Sequence, residues 1–258
     1  MSDYKLITVK QEGRVQTITL NRPEKRNALS LDLCQELVHA FDNGDHSGSV
    51  GAIVLTANGP AFCAGMDLTE AVQIDQNQLA RIHDRLFTLV HRLRTPIVAA
   101  VHGAALAGGT GLAANSHIVV AKPDATFGLT EVRIGFWPMM IYRAVEHAMG
   151  QRRTLELSLT GRLFKAQEAL NYGLVTEIAD DPVKRAHEIA AQLAGYSPVA
   201  IGTGLDYVRQ IHGHDWDHAG KIGHLTRMRL IDSEDFHEGC EAFREKRQPS
   251  WPSLKGKN

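Results

Sequence analysis

The apolar run TPIVAAV leads without interruption into HGAALAGGTGLAANSH, residues 102 to 117. The run reads as a strand, and the adjacent Gly108 and Gly109 open what reads as a helix. Strand, glycine turn and helix in that order constrain the chain to a layered α/β architecture with crossover connections. Glycines at such a turn let bare backbone N–H groups approach a ligand with no side chain in the way, and the start of a helix favours developing negative charge. The segment is therefore a candidate oxyanion site.

The same pattern recurs along the chain. KLITVK and RVQTITL flank Gln11-Glu12-Gly13 and predict a hairpin. Ser30 is placed to cap a helix over SLDLCQELVHAFDN, AIVLTA from Ala52 is a short buried strand, and about Asp67 to Arg94 reads mostly as helix ending before Pro96. RRTLELSLTG and KAQEALNYG are helices that stop at glycine, and LVTEIA is a further strand. From Asp181 onward the chain is almost wholly helical. Tyr196-Ser197-Pro198 marks the one change of character, so residues 1–195 are expected to form an α/β core and 196–258 a helical region.

Other classes of function fit poorly. A net charge of −1 gives no nucleic-acid footprint and no basic membrane surface. No apolar stretch is long enough to span a bilayer, and MSDYKLITVK reads as a strand rather than a signal peptide. The three cysteines have no CxxC spacing, which suits a reducing, cytoplasmic setting without disulfides. Neither His212 with His214 nor His83 with His91 offers a metal-ligand frame, so no metal is expected.

Five segments resemble the enoyl-CoA hydratase/isomerase (crotonase) superfamily, in the family's order: ITLNRPEKRNALS (18–30), GPAFCAGMDLTE (59–70), PIVAAVHGAALAGGTGLAA (96–114), ATFGLTEVRIGFWP (125–138) and SEDFHEGCEAFREKR (233–247). The resemblance implies a spiral of ββα units, a helical C-terminal region making homotrimers or dimers of trimers, and acyl-CoA thioester substrates with no separate cofactor. It places the two oxyanion amides at Met66 and Gly108. It also implies CoA phosphate contacts at Lys25 and Arg26, a nucleotide-pocket edge at Ala28, and an adenine or pantetheine path along Ala64, Asp67 and Leu68. Gly109, Gly111 and Trp137 would face the acyl part.

Family hydratases use two glutamates. The second corresponds to Glu131, but the first falls on Gly111. Hydration needs water held and deprotonated while a proton reaches carbon, a task two carboxylates share. Moving a proton along an enolate needs one base, so the pattern is expected to be that of a Δ3,Δ2-enoyl-CoA isomerase acting through Glu131. The apolar GFWPMMIYR, residues 135–143, would exclude water and raise the Glu131 pKa. Those residues read equally as core at a helix start with Pro138 at N1, and Glu131 as a surface partner of Arg133. Two further readings stand: a hydratase with its missing acid supplied by Glu70, Asp67 or solvent, and an inactive CoA-binding scaffold. Gly111→Glu is expected to add hydratase activity.

Overall fold

The computed structural model describes residues 4–89 and 91–255. The opening hairpin is β1 (Ile7–Glu12) and β2 (Val15–Leu20), paired antiparallel around Gly13. Helix α1 (Leu31–His46) follows, with the Ser30 hydroxyl accepting the Leu33 N–H as predicted. Next come β3 (Ala52–Ala57), α2 (Leu68–Ala71), α3 (Gln76–Leu89), β4 (Ile97–Val101), β5 (Ala104–Leu106) and α4 (Gly108–Ala114). The expected single helix over 67–94 is thus two, because the Asp75 side chain accepts the Asn77 N–H and starts a new helix. Val90 and Met1–Asp3, which those readings included, lie outside the described residues. Strands β6 (Ile118–Ala121) and β7 (Thr126–Gly128) precede helices α5 (Met139–Met149) and α6 (Gln151–Thr160). The core ends with β8 (Leu163–Lys165), α7 (Ala166–Tyr172), β9 (Glu177–Ile178) and α8 (Pro182–Ala194). Left-handed Gly161 and Gly173 close α6 and α7, as their sequences predict. Helices α9 (Pro198–Ile211), α10 (Trp216–Ile231) and α11 (Glu234–Glu245) complete the chain.

The main sheet runs β1-β2-β3-β4-β6-β9, parallel except for the hairpin, and a second sheet runs β5-β7-β8. The central strands are buried on both faces. Ile53, Leu55, Ile97, Ala99 and Val101 enter the large core beneath α1 and α3. Val54, Val98 and Ala100 face the other way, onto Ala186, Ala190 and Ala194 of α8. Alanine at every fourth position gives α8 a smooth stripe that lies close on the sheet. No helix among the described residues is long and apolar enough to cross a membrane.

The glycine turn after β4 contains a strand that the sequence reading missed. Three-residue β5 lies beside Cys63, whose N–H donates to Ala104 O (3.1 Å) and whose carbonyl accepts the Leu106 N–H (2.9 Å). Helix α4 starts so close to this segment that a Cβ at Gly109 would stand 2.2 Å from Cys63 O. Gly109→Ala is therefore expected to cost about 1–3 kcal/mol in urea unfolding, as overpacking does. Gly204→Ala in α9, where an added Cβ meets nothing within 4 Å, is expected to leave the midpoint unchanged or raise it.

Candidate active site

Asn27 organises the first wall of the site. Held at φ 54° and fully buried, it accepts the Arg22 N–H on Oδ1 (2.8 Å) and donates from Nδ2 to Asn58 O and Ala61 O (both 2.9 Å). The chain next to it pairs with the turn after β3: Ala64 N–H donates to Arg26 O (3.0 Å), Leu29 N–H to Gly65 O (2.7 Å) and Asp67 N–H to Leu29 O (3.0 Å). On the far side of that turn lies β5. Ala107, at φ 50° and ψ −118°, donates its N–H to Gly128 O (2.8 Å) and directs the chain into α4. Such a φ in a residue with a side chain is strained, and the Thr110 hydroxyl helps hold it by bonding Ala105 O (2.7 Å) and Gly128 O (3.0 Å).

Within this lattice of backbone bonds, the N–H groups of Met66 and Gly108 are among those with no backbone acceptor among the described residues. Both residues line one cleft of about 240 Å³. Glu131 lines it too, at the start of a 3-10 turn, Glu131–Ile134, that follows β7 and closes at left-handed Gly135. The carboxylate is 9% exposed, its Oε2 has no hydrogen-bond partner, and no ion pair joins it to Arg133. Burial pushes its pKa up to about 7, against a small opposing effect of its own backbone N–H. The remaining wall is mainly apolar: Leu29, Leu79, Phe87, Phe136, Met139 and Ile141.

A carboxyl, poised near neutrality, thus shares an apolar cleft with two unpartnered amides. The enoyl-CoA hydratase/isomerase family model matches residues 10–254. The chain belongs to that family. A putative enoyl-CoA hydratase of Thermus thermophilus is 34% identical, over 93% of this chain and 98% of the relative. Enoyl-CoA hydratase EchA19 of Mycobacterium tuberculosis is 32% identical, over 94% and 95%. The crystal structure of a Bacillus anthracis enoyl-CoA hydratase superposes with a TM-score of 0.91 at 30% identity, covering 96% of this chain and all of the other. The crotonase fold expected from the five landmarks is present.

Against that family frame, the other predicted residues fall in different places. Ala64, Leu68 and Trp137 line the cleft, the last with its ring stacked on Tyr142 at 6.4 Å. Lys25 and Arg26 are exposed on the neighbouring turn with no carboxylate partner among the described residues, and Ala28 is half-buried beside them. Asp67 is not brought to the cleft. It caps α2 by accepting the Thr69 and Glu70 N–H groups and pairs with Arg22 at 2.7 Å. Burial pushes its carboxyl up, but the Arg22 bond and the cap together hold it below the usual range. Glu70 accepts the Leu31 N–H at 3.0 Å, and neither carboxylate lines the cleft.

Gly109 and Gly111 are buried behind the wall rather than lining it. A Cβ at Gly111 would stand 2.2 Å from Ile141 Cγ2 and 3.1 Å from Phe87 Cε1. A glutamate there requires Ile141 to move, which weighs against the expected gain of hydration in Gly111→Glu. Of the GFWPMMIYR residues, Phe136 and Met139 are 47% and 60% exposed at the cleft, whereas Ile141 belongs to the core as the other reading expected, and Pro138 caps α5 one position earlier than N1. Cys63 is fully buried, and burial pushes its thiol up to about 12, which removes it as a nucleophile. The sequence reading missed the face of α3, where Gln76, Leu79, Ala80, His83 and Phe87 line the cleft. Their spacing of three and four was the available signal, but it is the spacing of any buried helix face.

The Glu131 pKa sets a pH dependence. Between its ordinary 4.5 and about 7, the folded chain holds a proton that the unfolded chain releases. Stability from this group is complete below about 4.5 and is lost as pH rises through about 7. Glu131→Gln should raise the thermal midpoint above that of the parent at pH 8 and change it little at pH 4. An equal shift at both would contradict the assigned burial.

Proposed function

We propose that the protein is a Δ3,Δ2-enoyl-CoA isomerase with Glu131 as its one acid and base. The observation that carries this is the cleft's single carboxylate among the described residues, together with Ile141 filling the space at Gly111 where a second would stand. The thioester carbonyl would rest against the Met66 and Gly108 amides. Glu131 takes a proton from the α-carbon of the 3-enoyl chain, and the electron pair moves onto the carbonyl oxygen as a dienolate. The same carboxyl then returns the proton to the γ-carbon, leaving the double bond between α and β. No cofactor is consumed. The amides matter because the oxygen gains charge only along the path, and donors fixed in advance need no reorganisation. A base with a pKa near 7 is half-ionised at neutral pH and still accepts a proton readily. Lys25 and Arg26 are free to meet the CoA phosphates at the adjoining turn.

Hydration is the second reading, and the relatives named hydratases favour it. The buried, unpartnered Glu131 speaks against an inactive scaffold, since such a group is costly to keep without use. Assays with 3-hexenoyl-CoA and crotonyl-CoA separate the readings. Isomerisation should dominate, and Glu131→Gln should lower its kcat by about 10³-fold or more while acyl-CoA binding stays within a few-fold. Fast hydration of crotonyl-CoA by the parent, or isomerisation surviving in Glu131→Gln, would contradict the assignment.

The reading extends to assembly and setting. We place the helical region 196–258 at contacts between copies in a trimer or dimer of trimers, in the cytoplasm. Helix α10 has no buried residue within the chain, and Trp216 and Phe243 are 94% and 86% exposed. Aromatic side chains left so open suit an interface. Sedimentation equilibrium should give three or six chains per particle; a monomer at micromolar concentration would contradict it.

A further inference from the structure

The cleft wall holds one ionisable group that the proposed chemistry does not use. His83 sits on the cleft face of α3 between Leu79 and Phe87, and is 8% exposed. Its Nε2 is buried without a hydrogen-bond partner, and no hydrogen bond of its Nδ1 occurs among the described residues. Other polar groups nearby are differently placed. Gln76 donates to the carbonyls of Ala71 and Ile74, and Glu131 is the base. An apolar residue at position 83 would complete the wall without leaving polar atoms unmatched, so the imidazole has a cost that its own chain does not offset.

The ring lies close to the reacting region. Its centroid is 6.1 Å from that of Phe87, whose Cζ would stand 3.4 Å from a Cβ at Gly108. A proton-relay role does not fit, because burial holds the imidazole neutral with a pKa of about 4. Near pH 7 it is a weak base, and as a neutral ring a still weaker acid. What it retains is one N–H donor and one lone pair. No Lys or Arg among the described residues lines the cleft, so a carboxylate on the ligand would enter uncompensated. A neutral oxygen is the group the site can satisfy.

We propose that His83 determines specificity by hydrogen-bonding a hydroxyl or carbonyl oxygen on the acyl chain. The protein's preferred thioester then carries such an oxygen beyond the reacting carbons and is not a plain hydrocarbon chain. This inference rests on the acyl-CoA reading above. The test is calorimetric titration of the parent, His83→Phe and His83→Gln with hexanoyl-CoA, 5-hydroxyhexanoyl-CoA, 6-hydroxyhexanoyl-CoA and 5-oxohexanoyl-CoA. The parent should bind at least one oxygen-bearing chain about tenfold more tightly than hexanoyl-CoA, the ratio expected of one buried hydrogen bond. His83→Phe should erase the preference while binding hexanoyl-CoA at least as well, and His83→Gln should keep part of it. Equal binding of all four chains by the parent, or a preference that survives in His83→Phe, overturns the role of His83 and leaves the acyl-CoA reading standing. Failure of the parent to bind any of the four overturns both.

Discussion

The site depends on how closely two backbone segments lie. The turn after β3 and strand β5 share a ladder of N–H to carbonyl bonds through Cys63, and Gly109 permits α4 to begin against that ladder. Nearly every amide in the two segments is consumed by this pairing. Met66 and Gly108, one on each segment, are among those left without a backbone acceptor, and both residues line the cleft. Their free donors result from the packing and do not depend on any particular side chain at those positions. The strain at Ala107 has the same origin: the chain must reverse between β5 and α4 within one residue.

On the proposed reading, steric filling beside the amides selects the chemistry. Ile141 and Phe87 close the space at Gly111, and Arg22 and the Leu31 amide engage the carboxylates of Asp67 and Glu70. One carboxyl is left in an apolar cleft, and removal from water brings its pKa to where it can both take and return a proton.

Much of the fold was legible because local patterns decide it. The continuous apolar runs of β3 and β4, the Ser30 cap and the glycines ending α6 and α7 each act over a few residues. That Met66, Gly108 and Glu131 line one cleft was legible through the order of the landmarks. What escaped the reading is long-range. Whether position 111 admits a carboxylate is decided by Ile141, thirty residues on, and no spacing rule links the two. Asp67 stands in a landmark yet is drawn away by Arg22, forty-five residues earlier. His83 occupies a helix face whose periodicity looks the same whether it meets core or cleft. Strand β5 was hidden because three residues in a glycine-rich turn carry no alternation to read.

The most direct measurement is a crystal structure with an unreactive acyl-CoA thioether or saturated thioester soaked into the cleft. For the thioester, the carbonyl oxygen should lie roughly 2.7–3.1 Å from both the Met66 and Gly108 nitrogens, with the α- and γ-carbons within reach of the Glu131 carboxyl. An oxygen turned away from both amides, or a Glu131 carboxyl out of reach of those carbons, would contradict the account.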